Sequence, residues 1–118
     1  MIRLQLVERH GVNLYRALID AMRSGGLRTF TVTRYGRRVT HRNPNYSGWI
    51  NWSYAGGVVS CEVLSPRKPG TEWRLVSALV GRLADKFADQ VHSISIQFPD
   101  ATALKNRPKR RQRRGRSR

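Results

Sequence analysis

Alternating apolar and polar residues predict a strand at the start of the chain. The apolar positions of this segment are Ile2, Leu4 and Leu6. A period of two is typical of a strand with one buried face. Beyond Gly11 the apolar residues recur about every four positions, at Leu14, Leu18 and Met22. That spacing predicts an amphipathic helix, which should end at the Ser24-Gly25-Gly26 sequence because glycine adopts the left-handed conformation of a helix C-cap.

The middle of the chain predicts two hairpins. β-Branched and aromatic residues at 27–33 favour a strand, and the Tyr35-Gly36-Arg37 sequence predicts a turn into a short return strand through Val39. Residues 43–48, which read NPNYSG, predict a loop. Two further strands at 49–54 and 58–64 flank a glycine turn. The residues expected on the core face of the first of them are Ile50, Trp52 and Tyr54.

A second helix and a final strand complete the pattern. Thr71 is the predicted N-cap of the helix, and Glu72 suits the positive end of its dipole. The apolar stripe of this helix consists of Leu75, Val76, Leu79, Val80, Leu83 and Phe87. The apolar positions of the final strand, which Pro99 should end, are Ile94, Ile96 and Phe98.

This order of elements, β-α-β-β-β-β-α-β, predicts an α+β fold with two helices packed on one face of a mainly antiparallel sheet. Two arrangements fit it. One is a ferredoxin-like split β-α-β arrangement with added strands. The other is the helix, three-stranded sheet and helix of double-stranded-RNA-binding domains, with the end strands as additions. The predicted domain covers residues 1–104, and a basic C-terminal tail covers 105–118.

The tail sequence, KNRPKRRQRRGRSR, shifts the expectation toward nucleic acid. It holds nine basic residues, no acidic residue and no large apolar one. Such a segment buries too little apolar surface to offset the roughly 1–2 kcal/mol per residue that ordering costs. A polyanion would neutralise its charges, although a targeting signal alone, a passive extension or a membrane-surface anchor are alternatives. The predicted phosphate-binding residues of the tail are Lys105, Arg107, Lys109, Arg110, Arg111, Arg113, Arg114, Arg116 and Arg118.

The predicted domain is basic as well. The chain carries a net charge of +16, with 23 basic and seven acidic residues. Nine of the 23 lie in the tail, so residues 1–104 carry 14 basic and seven acidic residues, a net charge of +7. No acidic residue lies between Asp20 and Glu62. Guanidinium groups bind phosphate oxygens in pairs, although a GC-rich genome would also enrich arginine. The arginines that we expect to bind phosphate around the first hairpin are Arg34, Arg37, Arg38 and Arg42.

Aromatic residues near these arginines are candidates for stacking on bases, which contributes about 1–3 kcal/mol per base. Trp49 and Trp52 should point to opposite faces of their strand, so we assign Trp52 to the core and Trp49, with Tyr46, to base stacking. Trp73 is either a third stacking residue or a buried contact. Arg67 and Lys68 precede the second helix, whose first amide groups favour an anion, and we expect them to bind phosphate.

Other chemistries are indicated weakly or not at all. The single Cys61 excludes an internal disulfide and a cysteine-based zinc site, and it fits a reducing compartment: the cytoplasm, or the nucleus in a eukaryotic or viral source. The chain has no apolar run of about eighteen residues and no signal-peptide pattern, so we expect no membrane association. We assign no catalytic residue, metal ligand or cofactor. A small ribonuclease would have to bring together histidines and carboxylates from the set His10, His41, His92, Glu8, Glu62 and Asp100.

These observations favour a nucleic-acid-binding protein, with RNA before DNA because arginine-rich segments commonly fold on structured RNA. We expect an RNA-binding component of a ribonucleoprotein assembly. Two alternatives remain open at this point. One is the small ribonuclease, and the other is a protein-binding inhibitor or assembly factor of a nucleic-acid machine.

Overall fold

The computed structural model describes residues 1–99, so the predicted tail lies outside the described residues. The elements in chain order are β1 (Ile2–Glu8), α1 (Leu14–Ser24), β2 (Phe30–Val32), β3 (Arg38–His41), β4 (Trp49–Ala55), β5 (Val58–Leu64), α2 (Glu72–Lys86) and β6 (Val91–Gln97). All six strands form one open sheet in the order β2-β3-β4-β5-β1-β6. Every neighbouring pair is antiparallel. The predicted α+β class, with two helices packed against an antiparallel sheet, is confirmed.

One face of the sheet carries the core. Leu4, Cys61 and Trp52 are register partners across β1, β5 and β4, and all three are buried. The residues between these positions along each strand point to the opposite face of the sheet, which we call the open side, as the alternating burial of β1 shows. The helices cover the buried face with their apolar stripes. The buried helix residues are Leu14, Leu18, Ile19, Met22, Leu75, Val76, Leu79 and Leu83.

The helices begin and end largely where the sequence predicts. The Asn13 side chain accepts a hydrogen bond from the Arg16 amide at 2.9 Å, and Gly25 ends α1 with a φ of 89°. Thr71 occupies the N-cap position of α2, but its hydroxyl donates to the Lys68 carbonyl at 2.6 Å rather than accepting from the helix. No helix in the described part of the chain is long and apolar enough to cross a membrane.

Both edge strands differ from the sequence prediction. β2 contains only three residues, because the chain before Phe30 forms a turn in which the Leu27 amide donates to the Ala21 carbonyl. At the opposite edge, Ile94 and Ile96 are only partly buried, and Phe98, beyond the end of β6, is 59% exposed. β6 is an edge strand of the sheet that residues 1–99 form. Alternation along a strand therefore predicted which face is apolar but not how deeply it is buried.

The strand register defines two ends of the sheet. Ile2, Trp49, Leu64 and Gln97 lie at one end, which we call the Trp49 end. Glu8, Ala55, Val58 and Val91 lie at the other, which we call the Glu8 end. His41 ends β3 on the Trp49 side, because β3 is antiparallel to β4 and Val39 pairs with Ile50.

Candidate nucleic-acid interface

A cleft of about 460 Å³ opens at the Trp49 end, between the β3–β4 loop and the β5–α2 loop. It brings together four of the predicted binding residues: Tyr46, Trp49, Arg67 and Lys68. The other residues that line it are His41, Pro44, Ser47, Gly48 and Pro66. Two basic side chains and several flat, mainly apolar rings therefore meet in one concave surface.

The two loops that form the cleft are fixed against each other. Gly48 has a φ of 98°, and a Cβ atom there would clash with the Leu64 carbonyl oxygen and approach the Ser65 Cα to 3.0 Å. Only glycine fits this position. The buried Ser65 hydroxyl donates to the Ser47 hydroxyl at 3.1 Å and lies 3.0 Å from the Thr71 hydroxyl. This close approach and these hydrogen bonds form the cleft before any ligand binds.

Tyr46 is held on both faces of its ring. The His41 ring stacks on it at 3.8 Å with an interplanar angle of 5°, and the Arg74 guanidinium lies 4.6 Å from the ring centroid. Two groups so close to one ring must occupy opposite faces. Arg74 also donates to the Asn45 carbonyl at 3.2 Å, which fixes the loop itself. Tyr46 therefore presents its edge, not a free face, to the cleft.

His41 links the end of β3 to the same loop. Its Nδ1 atom accepts a hydrogen bond from the Asn43 amide at 2.9 Å, so the neutral ring carries its proton on Nε2. Phe30 contacts the ring edge-on at 5.3 Å. Burial lowers the pKa of His41, and the positive charges of Arg74 and Arg82 lower it further. The neutral form is favoured because a proton on Nδ1 would break the bond to Asn43.

Trp49 differs from Tyr46 because a guanidinium stacks on it but, within residues 1–99, no aromatic ring does. The Arg38 guanidinium lies 4.5 Å from the Trp49 ring centroid, on the open side of the sheet. Arg38 is exposed, and an exposed contact of this kind contributes about 0.5–1 kcal/mol. The Trp49 indole N–H is buried and has no hydrogen-bond partner among residues 1–99. A buried donor without a partner is uncommon in proteins, and this one belongs to a residue that lines the cleft.

The cationic groups around the cleft have no acidic partners. Within residues 1–99 the ion pairs are Met1–Glu72, Arg3–Glu62 and Arg82–Asp85, at 3.5–3.9 Å. None of them includes Arg38, Arg67 or Lys68. The positive charge at the cleft is therefore available to an anion.

Comparison with models of known protein families, with curated proteins and with solved structures found no match to this chain. The site is therefore interpreted from its own residues.

The predicted hairpin arginines divide into two groups. Arg38 and the exposed Arg42 lie on the Trp49 side, next to the cleft aromatics. Arg34 and Arg37 lie at the β2–β3 turn, which points toward the Glu8 end because β3 runs from that turn to His41. The register of β3 separates the two groups, and no local sequence pattern indicated this.

The β2–β3 turn is part of the folded scaffold. The Arg23 guanidinium donates to the carbonyls of Thr33 at 3.1 Å and Arg34 at 2.8 Å. The Gly36 carbonyl accepts from the Tyr15 hydroxyl at 2.9 Å and from the Trp52 indole. Arg23 was missed as a residue of this region, because its position near the end of α1 gave no signal of the long-range contact.

The Glu8 end holds a closed network of polar groups. The Glu8 carboxylate accepts hydrogen bonds from the Leu14 amide at 3.1 Å and from the Tyr54 hydroxyl at 2.9 Å and 3.0 Å. The bond to Glu8 is the main cause of a raised pKa at Tyr54. Tyr15 stacks on Tyr54 with 5.5 Å between ring centroids. Here the polar groups satisfy one another.

The three histidines do not meet at one site. His41 lies at the Trp49 end, whereas His10 and His92 follow β1 and begin β6 at the Glu8 end. Glu8 and Glu62 are engaged with Tyr54 and Arg3, and Asp100 lies outside the described residues. Among residues 1–99 no group of three His, Cys, Asp or Glu side chains is placed to hold a metal ion.

The described part of the chain ends on the same side as the cleft. Gln97 pairs with Arg3 at the Trp49 end, and Phe98 and Pro99 follow it. Phe98 contacts Trp73 with 5.7 Å between ring centroids, and both side chains are exposed, by 59% and 47%. The chain therefore continues toward the tail sequence from the end of the sheet that carries the cleft. The nine predicted tail residues themselves lie outside the described residues.

Proposed function

We propose that this protein binds nucleic acid, RNA in preference to DNA, and acts as an RNA-binding component of a ribonucleoprotein assembly. The observation that carries the proposal is the cleft at the Trp49 end, where aromatic rings and basic side chains that have no acidic partner within residues 1–99 line one surface. Phosphate contacts to Arg67 and Lys68 position the chain on the polymer. A base that stacks on Trp49 distinguishes this binding from a purely electrostatic attraction.

The tail supplies the larger share of affinity. Its nine basic residues would release counterions from the phosphates that they neutralise, a contribution that does not depend on sequence. The last described residues, which follow Gln97, lie at the Trp49 end of the sheet, the end that carries the cleft. The cleft and the tail would therefore act on the same RNA molecule.

Two finer assignments belong to this proposal. The strand order β6-β1-β5-β4, with α1 after β1 and α2 between β5 and β6, supports a ferredoxin-like arrangement in which β2 and β3 are added strands. The interior position of β1 favours it over the double-stranded-RNA-binding arrangement. A reducing compartment, the cytoplasm or a nucleus, suits Cys61, because burial raises the pKa of its thiol to about 12 and keeps it unreactive.

A tail variant tests the proposal. Replacing the nine basic residues of 105–118 with Ser and Gln keeps the chain length and removes the charge. We expect weaker binding to single-stranded RNA. The slope of log K against log salt concentration should become less steep by up to about 6, since each phosphate contact contributes about 0.7 to that slope. Titrations between about 50 and 200 mM salt measure both quantities.

An unchanged slope would remove the tail from the mechanism. Failure of the unaltered chain to bind RNA or DNA at low salt would reject the proposal as a whole. The folded part carries its own net positive charge, so residual binding by the tail variant, weakened further by Arg67→Ala with Lys68→Ala, would locate the remaining affinity at the cleft.

A second candidate function rests on the Trp73–Phe98 pair. Two large aromatic side chains in mutual contact are both about half exposed beside the edge strand β6. Aromatic residues are enriched in the cores of protein interfaces. A protein partner within the same assembly would explain this exposure. Co-purification that survives nuclease treatment, and that Trp73→Ala with Phe98→Ala abolishes, would support this function; partners lost on nuclease treatment would argue against it.

A further inference from the structure

We propose that the cleft accepts an unpaired nucleobase, so that the folded domain binds single-stranded or looped RNA and not the interior of a duplex. This inference rests on the proposed function, because it names the ligand of the same cleft. Three features carry it: the size of the cleft, the different surroundings of its two aromatic residues, and the placement of its basic side chains.

The cleft has the dimensions of a small-molecule site. Its volume of about 460 Å³ falls within the roughly 300–1,000 Å³ that small ligands occupy in proteins. Two loops bound it, and the hydrogen bond between the Ser65 and Ser47 hydroxyls joins these loops. A double helix cannot enter such a space, whereas one base turned out of a strand or loop can. Sequence-specific RNA recognition generally uses such unpaired bases.

Of the two aromatic residues, only Trp49 can offer a face to a base. His41 and Arg74 occupy the two faces of Tyr46, so Tyr46 acts as a wall of the cleft. Trp49 is only partly buried, and the Arg38 guanidinium that stacks on it is exposed. A guanidinium is flat and delocalised, and it stacks on the indole in the place where a base would stack. The free energy of stacking a base on the indole is more favourable than that of an exposed guanidinium.

A base that stacks on Trp49 displaces Arg38, and a phosphate of the same RNA strand can then bind the Arg38 guanidinium. Arg38 has no acidic partner among residues 1–99, so a phosphate of the incoming strand can bind it as the base replaces it on Trp49. Arg67 and Lys68 lie on the opposite loop and can bind the adjacent phosphate. Binding would therefore be an exchange: the base replaces Arg38 on Trp49, and a phosphate becomes the partner of Arg38.

The experiment compares single strands, duplexes and strands without bases, using the full chain. RNA of about twelve nucleotides covers the span of a typical single-strand site. We expect Trp49→Ala to weaken binding to a single strand about tenfold and to leave binding to a duplex unchanged. Tyr35→Ala is the control, since Tyr35 is an exposed aromatic residue of the β2–β3 turn, outside this cleft, and it should have no effect. Trp49→Phe should retain most of the affinity because it keeps a stacking ring.

A second measurement does not depend on how well a variant folds. A strand with abasic residues keeps the phosphates and removes the bases, so the unaltered protein should bind it about tenfold more weakly than the normal strand, with little change in salt dependence. Equal affinity for the normal and abasic strands would overturn the inference while leaving the proposed function standing. Equal loss of single-strand and duplex binding in Trp49→Ala would overturn it too. Absence of binding to every RNA and DNA probe would reject the proposed function itself.

Discussion

The two ends of the sheet use the same kinds of residue in opposite ways. At the Glu8 end, Tyr54 and Leu14 donate hydrogen bonds to Glu8, and Tyr15 and Trp52 donate to Gly36. At the Trp49 end, aromatic rings contact arginines instead, and the Trp49 indole N–H has no hydrogen-bond partner within residues 1–99.

This contrast separates aromatic residues that stabilise the fold from those that are candidates for binding. A group whose hydrogen bonds are all made within the protein gains little from a ligand, because the ligand would have to replace hydrogen bonds that stabilise the fold. A ring stacked by an exposed cation, beside further cations that have no acidic partner within residues 1–99, can exchange that cation for a ligand. The Glu8 end therefore stabilises the fold, and the Trp49 end is the candidate binding surface.

The largest expected difference lies between the two tryptophans of β4. Trp52 is 5% exposed and packs in the core, so Trp52→Ala should reduce the free energy of unfolding by about 3–5 kcal/mol. Trp49 is only partly buried, and Trp49→Ala should cost less stability while weakening RNA binding. Urea unfolding and RNA titration of both variants measure this. Equal losses of stability would erase the distinction between the two ends.

Glu8→Gln should produce the next largest effect. Hydrogen bonds to a charged group contribute about 1.5–3 kcal/mol, and glutamine keeps only part of the three contacts made by the Glu8 carboxylate. We expect a loss of about 1–2 kcal/mol in the free energy of unfolding, because the start of α1 and Tyr54 lose a charged acceptor. RNA affinity should not fall. A clear decrease in RNA affinity would place part of the binding surface at the Glu8 end.

A smaller effect is expected from replacing either of two neighbouring arginines, which differ in what their side chains contact. Arg38 stacks on Trp49, whereas Arg37 lies at the β2–β3 turn that points toward the Glu8 end. Arg38→Ala should weaken RNA binding several-fold and lower the salt slope by about 1, as expected for one lost phosphate contact. Arg37→Ala should have less effect. Equal effects in a chain lacking residues 105–118 would show that the whole hairpin, and not the Trp49 side alone, contacts RNA.

The smallest effect concerns His41 and pH. Its pKa is lowered in the folded protein, chiefly by burial, so the unfolded chain binds a proton more readily than the folded one. Stability from this group is therefore present above its ordinary pKa of about 6.5 and is lost as pH falls below that value toward the folded pKa. His41→Gln should lose less stability than the unaltered protein between about pH 7.5 and 5. Identical losses in urea unfolding would contradict the assignment.

Local periodicity predicted most of the elements of this fold, because burial of one face imposes a repeat of two on strands and about four on helices. The depth of burial at β6 and the shortness of β2 depend on sheet order, which such repeats do not encode. The cleft, too, could not be predicted from local repeats alone. Tyr46, Trp49, Arg67 and Lys68 were predicted from residue type, but their meeting depends on the pairing of Trp49 with Leu64. Contacts such as Arg74 on Tyr46 join distant parts of the chain without a local pattern.

The most direct test follows the tryptophan indole N–H signals of the full chain by NMR during titration with single-stranded RNA. The three tryptophans, Trp49, Trp52 and Trp73, report on the cleft, the core near the Glu8 end and the exposed surface of α2. We predict that the Trp49 indole signal and the backbone amides of residues 43–48 and 65–70 shift with RNA, while the Trp52 indole and the amides of Glu8 and Tyr54 stay unchanged. Shifts centred on Trp52 and Glu8, or confined to residues 105–118, would contradict the account.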